Sequence, residues 1–212
     1  MVQVKTEHYA GNEYDNKERF ISYFNQKNLI FEALSVGDST VLEIGAGNGF
    51  LKNYLLSNGI NVKTFDFDET LKPDYVGDVR TISQVVKEKF DVVVCFEVLE
   101  HIPFEAVEET VAQLRDLTKK TLIISIPQTK LYAGFWFKMS LLRPVSLYLG
   151  IPAFFRQHKF DGQHHWELGA RGFGENKLRQ IFSNLNLKLT KTYTDPQDPY
   201  HRFFVLKSVQ KS

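Results

Sequence analysis

At 212 residues the chain is long enough for one domain with a sizeable core and a small added cap. Its 26 Lys and Arg against 25 Asp and Glu leave a formal net charge of +1, and neither a basic stripe nor zinc-ligand spacing is present, so no nucleic-acid partner is expected. The single cysteine, Cys95, excludes an internal disulfide, suits a reducing cytoplasm and sits in an apolar run as a small buried hydrophobe.

Residues 1 to 13 read as an irregular lead-in without the apolar core of a signal peptide, so a cytoplasmic location is expected. From Tyr14 onward, Phe20, Tyr23, Phe24, Ile30, Phe31 and Leu34 recur near helical spacing. The period predicts an N-terminal helical segment within residues 1–35. It either packs on the sheet or reaches a ligand through Tyr9, Tyr14 and Arg19. The run Thr40 to Ile44 is then broken by Gly45, Gly47 and Gly49 and resumed by Phe50, Leu51, Tyr54 and Leu55. This pattern is a buried strand, a tight turn and a helix whose N-terminus opens on the turn. Glycines at such a bend let a ligand lie against the amides of Gly45, Ala46, Gly47 and Gly49, while the helix end offers unpaired N–H groups and partial positive charge.

A second strand, Asn61 to Asp66, ends in a carboxylate at the distance where nucleotide-binding α/β folds place the acid that accepts from ribose hydroxyls. Tyr75 and Val76 allow a short third strand, Thr81 opens a helix through Val86, and Phe90 to Phe96 is apolar enough for burial on both faces of a parallel sheet. A helix over Glu105 to Thr118 leads to a fifth strand, Thr121 to Ile126, stopped by Pro127. After a helix over Glu175 to Leu185, strands at Leu187 to Tyr193 and Arg202 to Lys207 flank a turn at Asp195 to Pro199 and must pair antiparallel. Five alternations of strand and helix predict an α/β fold with a doubly wound, mostly parallel seven-stranded sheet, a C-terminal antiparallel hairpin and ligands beyond the carboxyl ends of the strands. Residues 1–212 read as one domain.

Residues 128–174 form an insertion rich in aromatics, among them Tyr132, Phe135, Trp136, Phe137, Phe154 and Phe155. The expectation is a helical, aromatic cap buried over the cleft, with a helix bent or started near Pro144. Lys138, Arg143, Pro144 and Pro152 argue against a spanning helix, while contact with a membrane surface stays open. Within the insertion, His164 and His165 offer imidazoles that titrate near neutrality and can take a proton from an acceptor. No further ligand types stand beside them and Glu167 in the sequence, so no metal is expected.

Position 50 is Phe where a dinucleotide loop needs a small residue. The acidic-x-Gly-x-Gly-x-Gly run from Glu43 to Gly49 instead resembles motif I of class I S-adenosylmethionine (SAM) dependent methyltransferases. Gly77-Asp78-Val79 is similar to a further motif of that family, and Glu97-Val98-Leu99-Glu100-His101 resembles the step found in ubiquinone-biosynthesis methyltransferases. The likeness covers about residues 36 to 127. It implies a Rossmann-like methyltransferase fold, SAM as cofactor and an unidentified small-molecule acceptor, apolar or aromatic, with oxygen ahead of nitrogen or carbon. It also implies that Glu43 and the loop amides hold the methionine end, Asp66 and Phe67 the ribose, and Asp78 and Val79 the adenine. Glu97 and Val98 would lie by the sulfonium, with His101, His164 or His165 as base. A nicotinamide- or flavin-dependent oxidoreductase and a non-catalytic SAM-binding protein are the alternatives, and the oligomeric state is not specified.

Overall fold

The protein is described from a computed structural model covering residues 16–35, 37, 40–160 and 162–208. The lead-in, with Tyr9 and Tyr14, lies outside the described residues. The chain enters through α1 (Lys17–Ala33), whose first turn is capped by Asn16, the side chain accepting from Arg19 N at 2.9 Å. It then alternates through β1 (Thr40–Ile44), α2 (Phe50–Ser57), β2 (Asn61–Asp66), β3 (Tyr75–Val76), the single turn α3 (Ile82–Val85), β4 (Phe90–Phe96), α4 (Val107–Asp116) and β5 (Thr118–Pro127). A separate ribbon, β6 (Lys130–Phe137) and β7 (Val145–Pro152), precedes α5 (Glu175–Asn184), β8 (Leu187–Asp195) and β9 (Asp198–Ser208).

Seven strands form one sheet in the order β3-β2-β1-β4-β5-β9-β8, parallel from β3 to β5 and antiparallel at β9 and β8. This is the doubly wound, Rossmann-like sheet with a C-terminal hairpin that the alternation predicts. Strand order reverses between β1 and β4, and a crevice opens there beyond the carboxyl ends. Successive residues of β4 serve opposite faces: Val93 and Cys95 pack with α4 and α5 residues such as Leu114 and Phe182, while Val92 and Val94 pack with α1 and α2 residues such as Ile30 and Leu55. The unbroken apolar run from Val92 to Phe96 is what two covered faces demand.

Two expectations are corrected. In α1 the buried positions include Ser22, Tyr23, Asn25, Gln26, Leu29 and Ile30, while Phe20, Phe24 and Phe31 stay exposed. The helix turns polar side chains inward because that face looks onto the crevice as well as the sheet. It is therefore the helical cap of the cleft. The insertion helix expected near Pro144 is strand β7, paired antiparallel with β6 from Lys130↔Pro152 to Phe137↔Val145. Nor do the insertion's aromatics bury: Phe135, Trp136, Phe154 and Phe155 are each more than half exposed. Beyond Pro144, Val145 to Ile151 alternates and is rich in residues that favour strands, which outweighs its helix-like leucine spacing.

The end of the insertion does return to the core. Trp166 is fully buried, and its indole N–H lies 3.1 Å from Leu99 O and 3.2 Å from Ile102 O, so it can donate to the loop that follows β4. Its ring packs edge-on against Phe104 at 5.0 Å. Trp166→Ala should therefore lower the unfolding free energy by about 3–5 kcal/mol, read in urea denaturation.

Candidate active site

At the end of β1 the chain must turn sharply without blocking the crevice. Gly45 does so at φ +87°, donating its N–H to Phe65 O at 2.9 Å. A Cβ at Gly45 would come within 2.7 Å of Val98 Cγ2, so this position admits glycine alone. Asp66 at the end of β2 holds the loop from the other side: one carboxylate oxygen accepts from Ala46 N at 2.7 Å, the other from Asp68 N at 2.9 Å. Burial raises the Asp66 pKa even though these amide bonds lower it. Glu43 is buried one residue before the end of β1, and its Oε2 has no hydrogen-bond partner among the described residues. Burial pushes its carboxyl up to about 8, reinforced by Asp66 and opposed by Lys52. A carboxyl in that state is a receptor for a cationic ligand group.

The opposite wall is built on Glu97, which follows β4 at φ +57°, left-handed backbone that a non-glycine residue rarely adopts. Arg19 Nη1 of α1 meets Glu97 Oε2 at 2.7 Å, and His201 Nε2 of β9 stands 3.1 Å from Glu97 Oε1. His201 Nδ1 lies 2.6 Å from Asp198 Oδ2, and both residues are buried. Burial opposes charge on Glu97 and His201 alike, and the ion pairs win. Glu97 is held at about 2 and His201 is raised to about 10, so both are charged at neutral pH.

Between these walls lies a cavity of about 300 Å³. Glu43, Gly45, Ala46 and Gly47 line it, as do Asp66, Phe67 and Val79, then Glu97, Val98, His101 and His164. Sequence reading reaches all of these residues. Gly49, Asp78 and His165 are not among the lining residues. Gly49 instead takes φ +74° as the N-cap of α2. Asp78 caps a short 3-10 turn, accepting from Arg80 N at 2.9 Å and pairing with the Arg80 guanidinium. His165 donates its N–H to Glu100 O at 2.8 Å and sets its ring against Phe160, 4.6 Å between centroids.

That backbone bond, with the indole of Trp166, brings the histidine loop onto the turn after β4. His101 and His164 meet edge to face at 4.9 Å, and Glu100, His101 and His164 place ligand-type atoms within 4.8 Å of one another. The expectation that no further ligand type gathers near His164 is thereby corrected, because two segments sixty positions apart in the chain are folded together. His101 Nδ1 lies 3.1 Å from Gln163 O; a carbonyl oxygen only accepts, so the ring's proton is on Nδ1 and Nε2 is its basic atom. Glu100 is buried, and its carboxyl is raised well above the usual range by burial, with Glu97 and Glu167 adding to the effect.

The methyltransferase-domain family matches residues 13–192, most of the chain. The chain belongs to that family. Among curated proteins it is 33% identical to a ubiquinone biosynthesis O-methyltransferase of Pseudomonas paraeruginosa (strain DSM 24068 / PA7), over 36% of this chain and 39% of that protein. The match thus spans about two fifths of the curated relative's length. Among solved structures it is similar to magnesium protoporphyrin IX methyltransferase from Synechocystis PCC 6803 with bound SAH, at TM-score 0.63 and 16% identity over 96% of this chain and 91% of that one. N-methyltransferase NodS from Bradyrhizobium japonicum WM9 in complex with SAH gives TM-score 0.62 and 13% identity, with 96% of each chain covered. These structural likenesses establish the class I methyltransferase fold.

In this methyltransferase-domain chain, sequence reading misses Tyr23, Gln26, Asn48 and Tyr200 in the cavity wall, and His201 behind it. One signal was available for the last two. A closing strand antiparallel to β5 must bring its first residues to β5's carboxyl end, and His201 pairs with Pro127 there. Placing the strand's start at Arg202 hides them. His201→Ala leaves the buried Asp198 without its partner and Glu97 with Arg19 alone, and should cost about 3–5 kcal/mol of stability. Because the folded pKa is raised from 6.5 to about 10, the charged His201 contributes fully below about pH 6.5 and is lost as pH rises through 10. The gap between wild type and H201A in denaturant titrations should therefore narrow from pH 7 to about pH 10.

Proposed function

We propose that this chain transfers a methyl group from SAM to an oxygen of a small-molecule acceptor. The observation that carries this reading is the buried Glu43 carboxyl beside the glycine loop, in a crevice whose family match is to a methyltransferase domain. That match also decides against the oxidoreductase alternative. Bound SAM would supply an electrophilic methyl carbon on a cationic sulfur. The residues present fit such a ligand: Glu43 takes the cationic amino-acid end, the amides of Gly45 to Gly47 its carboxylate, Asp66 and Phe67 the ribose, and Val79 the adenine. Asp78, paired with Arg80, has no part in this arrangement.

What remains for the protein is alignment, exclusion of water and custody of the acceptor's proton. Arg19, Tyr23 and Gln26 of α1 close the crevice from above. The acceptor lies against His101 and His164, and His101 Nε2 takes its proton. Burial holds the neighbouring Glu100 carboxyl well above the usual carboxylate range. Within the family we place the chain beside the ubiquinone-biosynthesis O-methyltransferases. The Glu97 to His101 step and the partial identity support this, and with it an acceptor of the ubiquinone-precursor type. A cytoplasmic site of action is supported by Cys95, buried, unpaired by disulfide and with its thiol pKa raised by burial.

Two measurements test this. A ligand cation beside Glu43 lowers a pKa of about 8, so SAM binding at about pH 7 should release a proton, and affinity should rise with pH from about 6 to 7. Calorimetry in buffers of different ionisation heat reads the proton directly. Glu43→Gln should abolish both effects, and a proton count of zero in the wild type would remove Glu43 from the cofactor site. In a labelled-methyl assay, once an extract screen has supplied the acceptor, His101→Ala should lower turnover about 100-fold or more with SAM affinity unchanged. His165→Ala should leave turnover near wild type, and equal rates in all three proteins would reduce His101 to scaffold.

A further inference from the structure

The β6–β7 ribbon is unlike the rest of the molecule. Side chains of a two-stranded ribbon alternate between its faces, and the register sorts them. One face carries Leu131, Ala133, Phe135 and Phe137 opposite Ile151, Leu149, Leu147 and Val145, with no polar side chain among them. All eight are exposed. Phe135 and Phe137 lie parallel on that face, 6.5 Å apart. The other face carries Tyr132, Gly134 and Trp136, and Gly134 lies close enough to the β8–β9 turn that a Cβ there would be 3.7 Å from Pro196 O. The wholly apolar face therefore points away from the body.

The tip of the ribbon continues this character. Met139 and Leu142 are about half exposed, and Leu141 is fully exposed while held at φ +71°. A bulky apolar side chain presented to water from a left-handed backbone is doubly unfavourable for the isolated chain. Two strands alone are marginal in water even without these features.

Charge identifies what covers the face. From Gln128 to Phe160 the chain contains Lys130, Lys138, Arg143, Arg156 and Lys159 and no Asp or Glu, although its formal net charge is only +1 overall. Lys138 and Arg143 flank the tip, while Arg156 and Lys159 are exposed beside the apolar Phe154, Phe155 and Phe160. A second copy of this chain seated face to face would bring the same cations together, since a two-fold contact pairs a patch with itself. An anionic lipid surface instead takes the apolar face among its chains, Trp136 and the tyrosines at its interface and the cations against its headgroups.

We propose that the β6–β7 ribbon docks this protein onto an anionic lipid bilayer. The ribbon springs from the rim of the cavity: Gln128 N donates to Tyr200 O at 2.8 Å, and its return leg supplies Gln163 and His164 to the lining. Docking therefore sets the cavity beside the bilayer. The inference stands on the ribbon alone and does not depend on the methyl-transfer reading.

The test is co-sedimentation of the full chain with vesicles of phosphatidylcholine, with and without phosphatidylglycerol, alongside light scattering. Wild type should sediment with phosphatidylglycerol vesicles, less so as salt rises, and only weakly with phosphatidylcholine alone. Lys138→Gln with Arg143→Gln should weaken partitioning by about fivefold per cation removed. Phe135→Glu with Leu147→Glu, both outside the cavity, should abolish it while leaving the far-ultraviolet circular dichroism and the SAM titration as in wild type. Absence of wild-type binding to phosphatidylglycerol vesicles would overturn the proposal. So would equal binding to both vesicle types. A wild-type dimer that the Phe135→Glu, Leu147→Glu pair dissociates, with no vesicle binding, would assign the face to a second copy.

Discussion

The structure turns on Glu97. It is a part-buried carboxylate just past the end of the central strand, on a backbone conformation that costs energy, and it is held by two cations that reach it from opposite ends of the chain. Arg19 brings α1 down over the crevice, and His201 ties the first residues of β9 behind it. Neither cation comes from a neighbouring segment. A single part-buried charge thus ties the entry helix and the closing hairpin to the end of the same strand.

The same requirement explains why polar groups are placed inside. The wall carries three glutamates whose titration is shifted differently. Glu97 is ionised by its partners, Glu43 is poised by burial to titrate near 8, and burial raises Glu100 well above the usual carboxylate range. Three acids of one type are therefore shifted in different directions and to different extents within one crevice. Their difference lies in which cations the fold delivers to each.

The ribbon and the crevice pose opposite problems in burial. Around the crevice, polar groups are enclosed and must be paired. On the ribbon, apolar groups are left in water and must be covered from outside. They are joined at Tyr200 and at the segment from Gln163 to Trp166, where the ribbon's return leg runs through the cavity wall and ends in the core.

The sequence alone determined the sheet and the glycine loop, because both are written locally. The apolar run of β4 needs two covered faces, and the glycines from 45 to 49 allow a bend that side chains would obstruct. It also determined most of the loop-side wall, whose residues follow directly on strand ends. Tertiary structure decided the rest. Asp78 turned to Arg80, His101 met His164 across some sixty positions, and His201 arrived on a strand whose start no local pattern marks. It also decided that the insertion is a ribbon open to solvent instead of a buried helix, since the leucine spacing from 141 to 149 suits either period. Local periodicity reports which face of an element is apolar. Which partner covers that face, or leaves it open, depends on where the chain returns.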